Sequence, residues 1–135
     1  MRLELTKRAD YAIRAVVALA AATPGERLSV RRIAASRAIP VRFLPQVMTD
    51  LVAAAIVEAI PGRSGGYRLA RSAGSISVLE VVEAVEGDSR RRTCVLRGGA
   101  CADGGICEVH HVFAAAQEAT IAGLGAATIA SLTKA

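Results

Sequence analysis

Aromatic side chains are nearly missing from this sequence: two Phe, two Tyr and no Trp stand among 135 residues. That scarcity argues against an aromatic-rich β architecture and for helices packed through Ala, Val, Leu and Ile, with a minor sheet at most. Long apolar runs are missing too. The segment Met1-Arg2-Leu3-Glu4-Leu5 has no uninterrupted hydrophobic stretch of the signal-peptide kind, and the densest run nearby, Ala15 to Ala22, falls far short of a membrane span. The expectation is a cytoplasmic protein without a membrane segment. No Ser or Cys nucleophile has an evident His base and acidic orienter, so the chain reads as a non-enzyme. There is no internal repeat. Cysteine is sparse as well: three is an odd number for a disulfide framework, and in a reducing compartment metal or redox chemistry explains them better.

What is present is enough for one compact domain, since 53% of the residues are hydrophobic. The net charge of +5 is unevenly spread. Residues 1–72 hold twelve Lys/Arg against five Asp/Glu, whereas residues 73–135 hold five against seven. A basic N-terminal portion joined to a slightly acidic remainder is the footprint of a protein that meets phosphates with one part and protein with the other.

Apolar residues recur at Ala9, Ala12, Ile13, Val16, Leu19 and Ala20, which predicts a helix from Thr6 to Ala22, closed by Pro24-Gly25. Ser29 is placed to N-cap a short second helix through Ile33 and Ala35. Ser36-Arg37-Ala38 then turns the chain into a third helix running to about Ala54, expected to bury Phe43, Leu44, Val47 and Leu51. A short helix, a tight turn and a longer helix form a helix-turn-helix unit, whose second helix would enter a DNA major groove. Ile56 to Ile60 and Tyr67 to Ala70 read as strands joined by Pro61-Gly62-Arg63-Ser64-Gly65-Gly66, a wing. Its tip carries Arg63 on a backbone stripped of bulk, fit to approach a sugar-phosphate wall. Ser77 and Glu80 form a capping box and Gly87 a C-terminal cap, so residues 78–86 form a fourth helix. Asp88 to Gly105 shows no periodicity and reads as a long loop that needs something to order it. A last long helix is expected from near Ile106 through Val109, Phe113, Ala116 and Ile121, weakening at Gly123 and Gly125, with Thr128 capping a short terminal helix.

Cys94, Cys101 and Cys107 are spaced C-x6-C and C-x5-C. Structural zinc sites usually pair cysteines two to four residues apart on a tight knuckle, so these spacings are too wide for one. An iron–sulfur cluster presents several metal corners, and thiolates on a glycine-rich loop can wrap around it. Arg90, Arg91, Arg92 and Arg97 lie beside the thiols and would lower their pKa and offset cluster charge. A fourth ligand has two candidates. His110 follows Cys107 by three residues and shares its face if both lie in the first turns of the last helix. Asp10, in the first helix, would reach a cluster only across a subunit interface.

Taken together, Met1-Arg2-Leu3, Asp10 to Arg14, Phe43-Leu44 with Gln46, the Gly62 to Ala70 wing, Val81 to Glu86 and the three cysteines resemble the Rrf-two family of winged-helix regulators, the IscR, NsrR and RirA type. The resemblance implies a mainly α, winged helix-turn-helix fold with a two-stranded wing and a long C-terminal dimerisation helix. It implies a homodimer on a palindromic operator in double-stranded DNA, with one cluster per subunit. By position it implies that Pro40, Val41, Arg42 and Gln46 form the recognition-helix surface and Arg63, Ser64 and Gly65 the wing tip. His110 resembles the histidine ligand of the IscR type and Asp10 the aspartate ligand of the NsrR type, so the choice stays open, as does cluster nuclearity. Pro45 departs from relatives and would distort the helix unless it falls in the first turn. The expected organisation is a DNA-binding domain over 1–87, a cluster loop over 88–105 and a dimerisation segment over 106–135. The expected function is a cluster-gated transcription regulator, a repressor; the alternative is a metal-free thiol redox switch that binds DNA.

Overall fold

The computed structural model describes residues 5–89 and 107–133. Cys94, Cys101, Arg90, Arg91, Arg92, Arg97 and most of the expected cluster loop lie outside the described residues. The described elements are, in order, α1 (Lys7–Ala21), α2 (Val30–Arg37), a 3-10 turn (Val41–Phe43), α3 (Leu44–Ala53), β1 (Val57–Ile60), β2 (Gly66–Leu69), a second 3-10 turn (Ala73–Ser75), α4 (Val78–Glu86), α5 (His110–Ala126) and α6 (Ile129–Thr133).

Helix ends follow local chemistry. The Thr6 hydroxyl accepts from the Ala9 amide at 3.2 Å and the Ser29 hydroxyl from the Arg32 amide at 3.2 Å, each satisfying an orphan donor of the first turn. Both halves of the Ser77/Glu80 capping box form: Glu80 N–H donates to Ser77 Oγ at 3.1 Å, and Ser77 N–H donates to Glu80 Oε2 at 2.8 Å. Glu80 also pairs with Arg71. The Ser77 amide, followed by the Arg71 guanidinium, holds the Glu80 carboxyl below the usual glutamate value of 4.5. A depressed folded pKa contributes stability that is complete above that usual value and is lost as pH falls through the folded one. Glu80→Gln keeps an acceptor for Ser77 and removes the charge. It is therefore expected to cost about 0.5 kcal/mol at neutral pH. Denaturant unfolding of both proteins between pH 7 and pH 3 should show that difference vanish at the acid end.

The core is one aliphatic cluster. Ala9, Ala12, Ala15, Val16 and Leu19 of α1 meet Ile33, Leu44, Val47, Met48, Leu51, Val81 and Val82, all buried. Small alanines on α1 let the other helices approach closely. β1 and β2 pair antiparallel with Val57 opposite Leu69 and Ile60 opposite Gly66. Leu28 adds a one-residue third strand through reciprocal hydrogen bonds with Tyr67 at 2.8 and 2.9 Å. Ile129 of α6 is fully buried, and its amide donates to the Ile76 carbonyl at 2.9 Å, which returns the C-terminal segment to the core beside α1 and the second 3-10 turn.

Three details differ from expectation. Phe43 is 40% exposed rather than buried. It sits in the 3-10 turn, off the inward face, and stacks on Tyr11 with centroids 5.7 Å apart. Met48 takes the interior place, four residues after Leu44 on the same face. Cys107 to Val109 form a turn ahead of α5, with the His110 amide donating to the Cys107 carbonyl at 3.0 Å, so Cys107 is not inside the helix. Gly123 and Gly125 do not interrupt α5; an added Cβ at Gly125 would lie 3.6 Å from Leu79 Cδ2, an ordinary contact, and one at Gly123 would meet nothing within 4 Å.

Candidate nucleic-acid interface and cluster ligands

The turn between α2 and α3 is made by Ala38, held in the left-handed region at φ 53° and ψ 45°, while the Ile39 amide donates to the Ala34 carbonyl at 3.0 Å. This turn buries Ile39 and directs the chain outward at Pro40. Pro45 falls in the first turn of α3, where its missing N–H has no partner to lose, so the helix is undistorted. With Leu44, Val47, Met48 and Leu51 inward, the 3.6-residue period leaves Pro45, Gln46, Thr49 and Ala53 outward, and all four are exposed.

Pro40, Val41, Arg42 and Gln46 are all exposed as expected of a reading surface. The Arg42 guanidinium lies 4.7 Å from the Phe43 ring centroid, Phe43 stacks on Tyr11, and Arg14 lies 5.8 Å from the Tyr11 ring. This array ties the 3-10 turn ahead of α3 to α1. Arg14 also donates to the Arg37 carbonyl at 3.2 Å and chelates the Asp10 carboxylate through Nε and Nη2. That pairing raises the Arg14 pKa above its ordinary value, so its charge is permanent.

At the wing, Glu58 and Arg68 pair across the strands, as their register dictates. The hairpin is closed by glycines that nothing larger can replace. A Cβ on Gly65 would stand 2.0 Å from the Ile60 carbonyl oxygen, and one on Gly66, whose φ is +147°, would stand 2.8 Å from the Leu28 carbonyl oxygen. Arg27 donates to the Ser64 carbonyl at 3.4 Å, bracing the tip from the segment before α2. Arg63 and Ser64 are exposed. Among the described residues, Arg8, Arg14, Arg32, Arg68 and Arg71 are engaged by carboxylates, whereas Arg27, Arg31, Arg37, Arg42 and Arg63 form no ion pair with one.

Of the expected cluster ligands, Cys107 is described and exposed, carrying a free thiol one turn ahead of α5. His110 opens that helix with its ring edge-on to His111, 5.3 Å between centroids. Asp10 is some distance along the chain on α1 and committed to Arg14. Among the described residues no group of three His, Cys, Asp or Glu side chains converges. Sequence reasoning missed Thr49 and Ala53 on the outward face of α3; both follow from Gln46 at helical spacings of three and seven.

A helix-turn-helix followed by a glycine-closed wing, with unpaired arginines on both, defines a winged-helix DNA-binding regulator. The chain belongs to the Rrf2 family, whose model, described as "Iron-dependent Transcriptional regulator", matches residues 5–135. It is similar to the HTH-type transcriptional regulator NsrR of Bacillus subtilis, 33% identical over 133 residues that cover 98% of this chain and 91% of that protein. It is also similar to IscR of Cereibacter sphaeroides, 37% identical over 106 residues, 77% of this chain and 66% of that one. An HTH-type regulator of Mycobacterium tuberculosis is 36% identical over 85 residues, which are 63% of this chain and only 53% of that protein. The chain thus spans about half the length of that relative. Among solved structures, CymR, the global cysteine regulator of B. subtilis, superimposes with a TM-score of 0.82 at 20% identity, covering 98% and 97% of the two chains. T. potens IscR gives 0.81 at 22%, covering 98% and 87%. At those identities the likeness establishes the fold. The relatives are transcription regulators rather than enzymes.

Proposed function

We propose that this chain is a cluster-dependent transcription regulator, acting as a homodimeric repressor on a palindromic operator, with the state of an iron–sulfur cluster gating its affinity. The observation that carries the reading is the placement of Cys107 and His110 at the entry to α5, a helix packed on α4, which in turn packs on α1 and α3. Three thiols with an imidazole or carboxylate are a soft donor set that suits iron–sulfur chemistry and not a hard cation. Cys94, Cys101 and Cys107 would hold the cluster, with His110 as fourth ligand or Asp10 from across the dimer. Asp10 would first have to leave Arg14, whereas His110 stands three residues from Cys107 at the entry to α5. A bound cluster supplies iron that is sensitive to oxidation and nitrosylation.

The protein's own residues supply the linkage. The Gln117 amide donates to the Ser89 carbonyl at 3.3 Å, so the start of the cysteine-bearing segment is fastened to α5. Ordering or release of that segment changes how α5 seats on α4, and through α4 the position of α3. No helix among the described residues is long and apolar enough to cross a membrane, and a DNA-binding regulator of this kind works in the cytoplasm. Residues 1–87 would bind DNA, 88–105 hold the cluster and 106–135 join the dimer.

Anaerobic purification with iron and sulfide quantitation tests the cofactor. Wild type is expected to be coloured and to contain both, and alanine at any of the three cysteines to lose both. His110→Ala is expected to alter the spectrum, and Asp10→Ala to leave it unchanged. Colourless wild type without iron or sulfide overturns the reading. The exposed, free Cys107 thiol favours one second reading, a metal-free redox switch, which predicts peroxide-dependent operator binding without iron. At the wing, Arg63→Ala should weaken binding to all duplexes several-fold and flatten the dependence on salt by about one phosphate contact. Filter binding across a salt series checks this; unchanged affinity and slope would remove the wing tip from the interface.

A further inference from the structure

Asp50 is an unexpected residue for a helix that faces DNA: a carboxylate beside the groove repels phosphates and the acceptors on base edges. The structure gives it two partners. Arg8, in the first turn of α1, forms an ion pair with Oδ2. Gln46, one turn earlier on α3, donates from Nε2 to Oδ1 at 3.1 Å. The Asp50 side chain keeps only 23% exposure while Arg8 keeps 52%, so the guanidinium covers the carboxylate from the solvent side.

This arrangement fixes which way round the Gln46 amide sits. An ionised carboxylate only accepts hydrogen bonds, so the amide must turn its nitrogen to Asp50; the reverse orientation would set Oε1 against Oδ1. One Nε2 hydrogen is used on Asp50. The other, together with Oε1, stays on the free edge of the amide as one donor beside one acceptor. Adenine presents the complementary pair in the major groove, an N6 donor and an N7 acceptor, whereas guanine presents two acceptors there. Thr49, the next outward residue, donates its hydroxyl to the Pro45 carbonyl at 2.9 Å, so its proton is not available to compete for the same base edge.

We propose that Asp50, neutralised by Arg8, is a positioning residue that fixes the polarity of the Gln46 amide and so sets a preference for adenine at one position of each half-site. The proposal rests on α3 being the recognition helix. Asp50 reads no base itself; it acts through Gln46. Arg8 keeps the carboxylate from repelling the duplex, and 42 residues of chain separate the two partners, so the fold assembles the device.

Selection of bound duplexes from a random pool, followed by affinities for each single-base variant of the selected half-site, tests this. Wild type is expected to prefer adenine at one position, and Gln46→Ala to abolish that preference. Asp50→Ala should reduce the preference at the same position about tenfold while leaving affinity for non-specific duplex undiminished, and the double variant should be no worse than Gln46→Ala alone. Arg8→Gln is expected to weaken affinity for every duplex, because the carboxylate is then uncovered. Retention of the adenine preference in Asp50→Ala, or its loss at a position that Gln46→Ala does not affect, overturns the proposal. Operator binding with no position changed by Gln46→Ala overturns the recognition-helix reading, and the proposal with it. Asp50 is partly exposed and alanine favours helix, so circular dichroism of the variants should match wild type.

Discussion

Gly65→Ala is expected to open the wing. The added methyl carbon would lie 2.0 Å from the Ile60 carbonyl oxygen and 2.9 Å from that of Gly62, and both obstacles are backbone. No rotamer change relieves such a contact, so the hairpin must splay. The pairing of Ile60 with Gly66 is the first to go, followed by the exchange between Tyr67 and Leu28. A local cost of at least about 3 kcal/mol is expected, in the range of the larger single-residue backbone effects. Hydrogen exchange should show Leu28 and Tyr67 amides losing protection while the α1 and α4 amides keep theirs, and operator affinity should fall more than tenfold as the tip leaves the DNA. Gly74→Ala is the control: its Cβ meets nothing within 4 Å, and its effect should be negligible.

Ala119→Arg is expected to abolish tight operator binding without unfolding the subunit. In α5 the side turned to α4 carries Phe113, Gln117, Ile121 and Leu124, which are half-buried or buried. The opposite side carries Val112, Ala115, Ala116, Ala119, Ala122 and Ala126, all exposed, and Val112 is 69% exposed. Those outward residues are apolar and small, a surface suited to close approach of a second copy of the helix. An arginine at 119 favours helix as well as most residues do, so the fold tolerates it, but its charge would be buried without a partner in a dimer. Separation of the subunits removes the benefit of two linked half-sites. The loss is about a hundredfold or more in affinity for a palindromic site. Sedimentation would show a monomer, and binding to a single half-site should hardly change. A dimeric Ala119→Arg with unchanged affinity would place the interface elsewhere.

The features legible in the sequence were those encoded over a few residues. Ser29, Ser77 with Glu80, Gly87 and Thr128 mark helix ends because the capping hydrogen bonds span three or four positions. The wing was legible because strand alternation and its glycines are local as well. Phe43 departs from its expected burial because its side chain stacks on Tyr11 of another helix, a contact that periodicity does not report. The last long helix begins at His110 rather than near Ile106, because Cys107 to Val109 close a turn through the His110 amide, which apolar spacing does not report. Gly123 and Gly125 suggest a weak end to the helix, at about 1 kcal/mol for each glycine, yet α5 runs through both to Ala126 with Leu124 between them packed against the core. The proposed reading surface is legible from the resemblance only by position. Gln46 and Arg42 were named from the resemblance, whereas the Arg8, Asp50 and Gln46 arrangement depends on α1 crossing α3, a tertiary contact that no short motif encodes.

The array from Arg14 through Tyr11 and Phe43 to Arg42 bears on the choice of fourth ligand. Asp10 is its outer end, chelated by Arg14. If Asp10 served a cluster, Arg14 would lose its anionic partner and the ring stack leading to Arg42 would be free to shift. With His110 as ligand, the array would stay intact, and the proposed coupling would run through α5 and α4 instead.

The claim that cluster state gates DNA affinity is tested most directly by one titration. A single anaerobic sample with its cluster intact is bound to its selected operator, then depleted of iron by chelation and bound again under the same salt and pH. The account predicts at least a tenfold change in operator affinity between the two forms, with no change when the same treatment is applied to the variant lacking Cys94, Cys101 and Cys107. Equal affinity before and after iron removal would contradict it.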